Sequence, residues 1–135
     1  MDALKQKYDT FTKAFATLEK SVKKIEQKTY TDYEETRDSL IQRFEYSSDL
    51  FWKLLKVFVT HKTGTVPAMS RPKAVYQDGF TLGIISKEEL ENLYEMVEDR
   101  NITSHTYDEE FANDLCKRIP KHTTLMKNIL SKISI

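Results

Sequence analysis

The chain has 135 residues, enough for one ordinary domain with a real core, and its 39% hydrophobic content with three glycines and three prolines favours a helical globule over an all-β or disordered chain. Its 21 basic and 21 acidic residues cancel, which excludes nucleic-acid binding by a general positive field but allows a local basic patch. The single cysteine, Cys116, excludes an internal disulfide and favours a reducing cytosol.

Apolar residues in the first thirty positions recur at alternating steps of four and three, which predicts a long amphipathic helix. This stripe consists of Leu4, Tyr8, Phe11, Phe15, Leu18, Val22 and Ile25. The segment 31–34, Thr-Asp-Tyr-Glu, is typical of a capping box with Thr31 as the cap, and predicts that a second helix begins there and runs to about Thr60. The broad apolar face of this second helix indicates more than one neighbour, one of which could be a second subunit.

Glycine and proline mark residues 61–70 as a loop. Ser70, with Pro72 just inside, predicts a shorter third helix that runs to about Gly79. Residues 86–89, Ser-Lys-Glu-Glu, form a second capping box, which starts another helix.

That helix reaches Arg100, and a third capping box at residues 106–109, Thr-Tyr-Asp-Glu, predicts that a further helix begins near Thr106. Pro120 either kinks this helix or begins a last one. Together these elements predict an all-α fold, an antiparallel four-helix bundle with short additional helices, as a single domain over residues 1–135.

Several classes of site have no motif here. The chain lacks the glycine-rich phosphate-binding loops and the paired Cys or His spacings of zinc sites, so we expect neither a metal nor a cofactor. No window approaches eighteen consecutive apolar residues, and the N-terminus lacks the apolar core of a secretory signal. We therefore expect a cytoplasmic protein that does not associate with membranes.

The remaining candidate chemistry lies in Arg100, followed five positions later by His105 and then by Tyr107. Arginine offers a permanent charge and a planar fork that suits phosphate oxygens, and histidine can move a proton near neutral pH. Together they could cleave RNA without a metal, with Arg100 stabilising the charged transition state and His105 acting as acid or base. An arginine and a histidine at this spacing are by themselves a weak signal.

Helix geometry sets a condition on this pair. On one continuous helix, five positions separate side chains by about 140°, so Arg100 and His105 would point apart. They converge only if the chain turns between them, which the capping residues 102–106 favour, or if a dimer brings two copies together. On the residues alone, a helix-end salt bridge for Arg100 and a cap contact for His105 are favoured over catalysis.

Several segments between residues 33 and 119 resemble the HEPN proteins once called nucleotidyltransferase substrate-binding proteins. The resembling segments are 43–46, 52–56, Pro72, 80–85 and 99–109. The block R-N-x-x-x-H-x-Y-D-E at 100–109 is the most specific of them, whereas the first helix resembles the family only in its pattern.

The resemblance implies a bundle that forms a homodimer and is encoded beside a minimal nucleotidyltransferase of the MntA type. In the HepT branch the bundle is a toxin, a metal-independent ribonuclease whose Arg-x4-His motifs meet across the dimer. The partner acts as antitoxin by transferring AMP to the tyrosine of the motif. By position, Arg100 and His105 become the catalytic pair acting on RNA, Tyr107 the AMP-modified residue, and Asn101 and Asp108 supporting residues.

Two other functions stay open at this point. The older family name implies a non-catalytic subunit that presents a substrate to the nucleotidyltransferase, and a plain interaction module with a decayed site is also conceivable. All three motif residues are present, so the sequence gives no sign of decay. Fold analogy does not separate these functions. Toxicity on expression without the partner would favour the nuclease over the substrate-presenting subunit.

Overall fold

The computed structural model describes residues 2–105 and 107–133, and all the regular structure in this part of the chain is helical. The elements in order are α1 (Asp2–Gln27), α2 (Tyr33–Thr63), α3 (Pro72–Leu82), α4 (Lys87–Asn101), a 3-10 turn (Thr103–His105) and α5 (Glu109–Leu130). The predicted all-α bundle is confirmed, with α1, α2, α4 and α5 as its principal helices and α3 and the 3-10 turn as short additions. Within the described ranges, no helix is both long enough and apolar enough to span a membrane.

The first helix follows its predicted stripe. Leu4, Phe11, Phe15, Leu18 and Val22 are buried, while Tyr8 and Ile25 are partly buried against the same core. The Phe11 ring centroid lies 5.2 Å from that of Phe15 and 5.2 Å from that of Phe51 on α2. Each such buried aromatic or aliphatic side chain contributes about 1.5–3 kcal/mol relative to an exposed one, so this stripe is a main source of stability for the α1–α2 pair.

α2 lies at the centre of the bundle, because it contacts all four other helices and the 3-10 turn. Phe44, Phe51, Leu54 and Phe58 on this helix are buried within the one chain. The broad apolar face that the sequence shows for α2 is therefore shared among several neighbours in the same molecule. Its width no longer requires a second subunit.

Two helix starts differ from the predictions by one or two residues. The box at Ser86 is confirmed, since its side chain accepts a hydrogen bond from the Glu89 amide while Glu89 reaches back to the cap. The N-cap of α2, however, is Asp32 rather than Thr31, and that of α5 is Asp108, whereas Thr106 lies outside the described residues. In both cases an aspartate close to the threonine provides the cap, as its carboxylate is an equally good or better acceptor.

The start and end of α3 also need correction. Arg71 is its N-cap without a side-chain hydrogen bond, and the Ser70 hydroxyl instead accepts from Lys56 Nζ at 2.8 Å. The helix does not stop at Gly79 but continues to Leu82 and ends at Gly83, whose φ of 92° is left-handed. A Cβ at Gly79 would lie only 2.6 Å from a methyl of Ile85, so Gly79 allows close packing rather than a helix end.

α5 runs without interruption through Pro120, the position at which the sequence predicts a kink or a new helix. Ile119, His122 and Thr123 around this proline are all buried. Tertiary packing on both sides of the proline therefore holds the helix together despite the missing backbone donor.

Candidate active site

Arg100 occupies the last turn of α4 and points towards α2. Its Nε lies 2.8 Å from Asp49 Oδ1 and its Nη2 lies 2.9 Å from Asp49 Oδ2, a paired hydrogen bond in which the guanidinium donates. These hydrogen bonds raise the pKa of Arg100 above its ordinary value, against the opposing effect of burial. The arginine is therefore a fixed cation with a defined orientation, and about a third of its side chain stays exposed, at 32%.

A second carboxylate lies beside this pair. Glu45 Oε2 is 3.7 Å from Arg100 Nη1, which is too long for a hydrogen bond, and the same oxygen accepts one from the Thr103 hydroxyl. Thr103 Oγ1 also lies 2.9 Å from the carbonyl oxygen of Arg100. The start of the 3-10 turn is thus tied both to α2 and to the end of α4.

The residue before Arg100, Asp99, belongs to a polar cluster in which Asp99 and His122 are buried and Arg118 is partly exposed. Asp99 accepts hydrogen bonds from both Arg118 Nε, at 3.0 Å, and Arg118 Nη2, at 2.9 Å, and its Oδ2 lies 2.6 Å from His122 Nε2. Burial opposes the charged form of Asp99, but the hydrogen bonds from His122 and Arg118 outweigh it and hold its pKa below the ordinary value. The His122 ring stacks on Phe44 of α2 at 5.5 Å. The last turn of α4 is therefore attached to α5 and α2 from within the core.

His105 ends the 3-10 turn and is exposed. Its ring centroid lies 6.3 Å from that of Tyr107 and 6.4 Å from that of Phe111, both in edge-to-face arrangement. The chain does turn between Arg100 and His105, as convergence on one chain would require. Among the described residues, however, the Arg100 side chain pairs with acids on α2, while the His105 ring packs beside two aromatic rings. No hydrogen bond joins the side chains of Arg100 and His105 there.

The other three predicted residues lie around this turn. Tyr107 is 85% exposed, which leaves its hydroxyl open to a second protein. Asp108 accepts a hydrogen bond from the Phe111 amide at 3.2 Å and so caps α5. Asn101 is exposed as the final residue of α4. The structure thus gives Asp108 a helix-capping contact, while a part for Asn101 and Asp108 in the chemistry stays a prediction.

The surroundings of Tyr107 are acidic. Glu109 and Glu110 form the first turn of α5 directly after the Asp108 cap. The pKa of Glu34, at the start of α2, is raised because it shares a hydrogen bond with Glu109 and is repelled by its charge. The amino ends of α2 and α5 therefore lie together.

Sequence reasoning missed the acidic side of this site. Glu45, Asp49 and Thr103 were not among the predicted residues, and the two acids lie 55 and 51 positions before Arg100 in the chain. Their spacing of four places both on one face of α2. That spacing was visible in the sequence, but nothing local indicated that α4 would pack on this face.

Among residues 2–105 and 107–133, no group of three or more His, Cys, Asp and Glu side chains is placed to hold a metal ion. Next to Arg100, α2 carries a surface depression of about 340 Å³ lined by Gln42, Arg43, Glu45, Tyr46 and Asp49. The Tyr46 side chain there is 57% exposed. Tyr46 is thus an exposed aromatic residue in the same depression as Glu45 and Asp49, the two acids that pair with Arg100.

The chain is similar to known proteins over nearly its whole length. The family model described as nucleotidyltransferase substrate binding protein like matches residues 6–135. A solved structure from Thermus thermophilus is 33% identical with a TM-score of 0.80, and covers 93% of this chain and 99% of its own. A comparison with proteins of curated function gave no match.

Two more distant structures share the fold. HI0074 from Haemophilus influenzae, described as showing the fold of a substrate binding domain of a nucleotidyltransferase, is 24% identical with a TM-score of 0.80 over 93% of this chain and 97% of that one. A chain of a toxin–antitoxin complex with AMP-PNP is 18% identical with a TM-score of 0.69 over 93% and 98% of the two chains.

Proposed function

The chain belongs to the family of nucleotidyltransferase substrate-binding-like proteins, and we propose that it is the toxin of a toxin–antitoxin pair with a minimal nucleotidyltransferase, acting as a metal-independent endoribonuclease. The observation that carries the proposal is an oriented, partly exposed Arg100 at a turn that ends in an exposed His105. The fold shared with a toxin–antitoxin complex supports it further. Its partner and its RNA substrate are both part of this proposal.

The chemistry follows from these two side chains. The 2′-hydroxyl oxygen of a ribose attacks the adjacent phosphorus, and the bond from phosphorus to the 5′ oxygen breaks, which leaves a 2′,3′-cyclic phosphate and a free 5′-hydroxyl. In the dimer, one His105 takes the proton from the attacking 2′-hydroxyl, and the protonated His105 of the second copy gives one to the leaving 5′ oxygen. Arg100 stabilises the extra negative charge on the phosphoryl oxygens. Because the two side chains are not joined within one chain, a homodimer that brings two motifs together completes the site.

The test is cleavage of single-stranded RNA by the purified protein with and without EDTA. Loss of a general acid or base costs about 10²–10⁴ in rate, so His105→Ala should nearly abolish cleavage. Arg100→Lys should also be poor, since an ammonium lacks the planar fork. His61→Ala is the matched control, because His61 is exposed on the far end of α2. Cleavage that needs a divalent metal, or that survives His105→Ala, would contradict the proposal.

A second candidate function is a non-catalytic subunit that presents a substrate to the nucleotidyltransferase. It is favoured by one observation, namely that Arg100 is occupied by Asp49 rather than directed at His105. This candidate predicts that the pure protein binds the nucleotidyltransferase but never cleaves RNA. The cleavage assay with wild-type protein therefore separates the two functions.

Tyr107 is the proposed point of control by the partner. Its exposed phenol oxygen can attack the α-phosphorus of ATP, which forms a phosphodiester to AMP and releases pyrophosphate. The added phosphate carries about one negative charge and would compete with RNA for Arg100. Tyr107→Phe keeps the ring but removes the acceptor, so it should retain nuclease activity and resist silencing by partner and ATP. Equal silencing of both proteins, with no mass gain on the Tyr107 peptide, would refute this control.

A further inference from the structure

The carboxylate of Asp49 binds two of the three nitrogens of the Arg100 guanidinium and leaves the third, Nη1, without a hydrogen bond to a described residue. Asp49 takes the Nε and Nη2 donors, at 2.8 and 2.9 Å. Nη1 has no hydrogen bond to any described residue, and its closest carboxylate is Glu45 at 3.7 Å. A phosphate oxygen can therefore approach Nη1 while Asp49 keeps the plane of the guanidinium fixed.

Glu45 is kept out of hydrogen-bonding contact by Thr103. The oxygen of Glu45 nearest to Nη1, Oε2, is the one that accepts the Thr103 hydroxyl. If Glu45 turned towards Arg100 instead, its 3.7 Å ion pair with Nη1 would become a hydrogen bond and would take the donor that a phosphate needs. The hydrogen bond from Thr103 thus preserves the open donor.

Stability alone does not explain the pair. The side chains of Arg100 and Asp49 are 32% and 37% exposed, and ion pairs with this much solvent contact contribute little to folding. The observed contribution of Asp49 is geometric, because its two oxygens accept from Nε and Nη2 and so set the direction of the Arg100 guanidinium.

We infer that Asp49 is a positioning residue for Arg100, which fixes the guanidinium so that Nη1 meets the RNA phosphate, while Glu45 and Thr103 keep that donor free. This inference rests on the proposed ribonuclease function and adds to it three residues on two elements. It predicts that Asp49 acts on the reaction only through Arg100.

A double-mutant cycle tests this dependence with a fluorophore- and quencher-labelled single-stranded RNA of mixed sequence. Asp49→Ala should lower kcat by about 100-fold with little change in KM, the size expected for a misplaced catalytic group. Asp49→Ala added to Arg100→Ala should cause no further loss. Glu95→Ala is the control and should retain wild-type kcat. Glu95 lies on α4, as Arg100 does, and the change removes only its exposed ion pair with Lys121 on α5.

The inference would be overturned, with the nuclease proposal left intact, by either of two results. One is an unchanged kcat in Asp49→Ala. The other is the same loss of kcat from Asp49→Ala in the wild type and in the Arg100→Ala protein. An Arg100→Ala protein as active as wild type would instead remove the catalytic assignment on which the inference rests. The milder Asp49→Asn keeps the shape of the side chain and serves if the alanine variant melts early.

A measurement independent of cleavage reports on the contact. The Nε proton of Arg100, held by Asp49, should give a dispersed, slowly exchanging NMR signal in the wild type and an averaged one in Asp49→Asn. The same signal in both proteins would show that Asp49 does not orient Arg100. Thr103→Val should shift this signal less than Asp49→Asn, and Thr103→Ser should restore the wild-type spectrum.

Discussion

At the residue scale, Arg100 illustrates what spacing can and cannot predict. The sequence allowed a helix-end salt bridge or a catalytic role for this residue. The structure contains the salt bridge, formed with Asp49, and the catalytic role stays a proposal. Its partner Asp49 lies 51 positions earlier, so no local pattern could have identified it. For His105 the alternative of a cap contact is not what the structure shows, because Asp108 provides the cap of α5.

Asp99 carries the clearest prediction at this scale. Asp99 and His122 are buried, whereas the Arg118 side chain is 45% exposed and its bond is partly screened by solvent. Asp99→Asn should therefore lower the free energy of unfolding by about 1–3 kcal/mol at pH 7. Because its folded-state pKa lies below the unfolded value of about 3.9, the contribution is complete above that value and is lost as pH falls through the folded-state pKa.

Urea unfolding of wild type and Asp99→Asn from pH 7 to pH 3 checks both points. The difference between the two stability curves should stay constant down to about pH 3.9 and shrink below it, since only the wild type loses the ionised Asp99. Asp9→Asn, an exposed change on α1, is the matched control and should follow the wild type at every pH. A constant difference between wild type and Asp99→Asn down to pH 3 would show that ionisation of Asp99 does not stabilise the fold.

At the scale of the helices, the existence of each element was predictable and the ends were not. Seven apolar residues of α1 repeat at helical spacing, so the prediction of this helix does not depend on any single one of them. A cap depends on one side chain, and Thr31 and Asp32 are both able to serve. In the structure Asp32 is the cap and accepts from the Glu35 amide at 3.1 Å. A single residue's difference in acceptor strength therefore decides where the helix begins, and the capping-box pattern alone does not resolve it.

At the scale of the whole molecule, the proposed homodimer is supported by the candidate site and no longer by the apolar face of α2. The apolar width of α2 is used within one chain, where α2 contacts all the other helices. What now supports pairing is the site itself, in which Arg100 and His105 lie on opposite sides of a turn with no hydrogen bond between them among the described residues. A two-fold dimer is the commonest way to bring such a motif beside its own copy.

If the two motifs meet, the interface must use the surface beside Arg100, and Tyr46 is the exposed aromatic residue there, at 57%. Aromatic side chains are typical of interface centres, whereas a lysine at this position would bury an unpaired charge. We therefore expect light scattering at micromolar concentration to give a dimer for the wild type and a monomer for Tyr46→Lys, which should also lose RNA cleavage.

Val66→Lys, at a residue 61% exposed in the loop between α2 and α3, is the control and should stay dimeric and active. A monomeric wild type would refute the dimer, and dissociation by Val66→Lys but not by Tyr46→Lys would place its interface on the α3 side of the bundle.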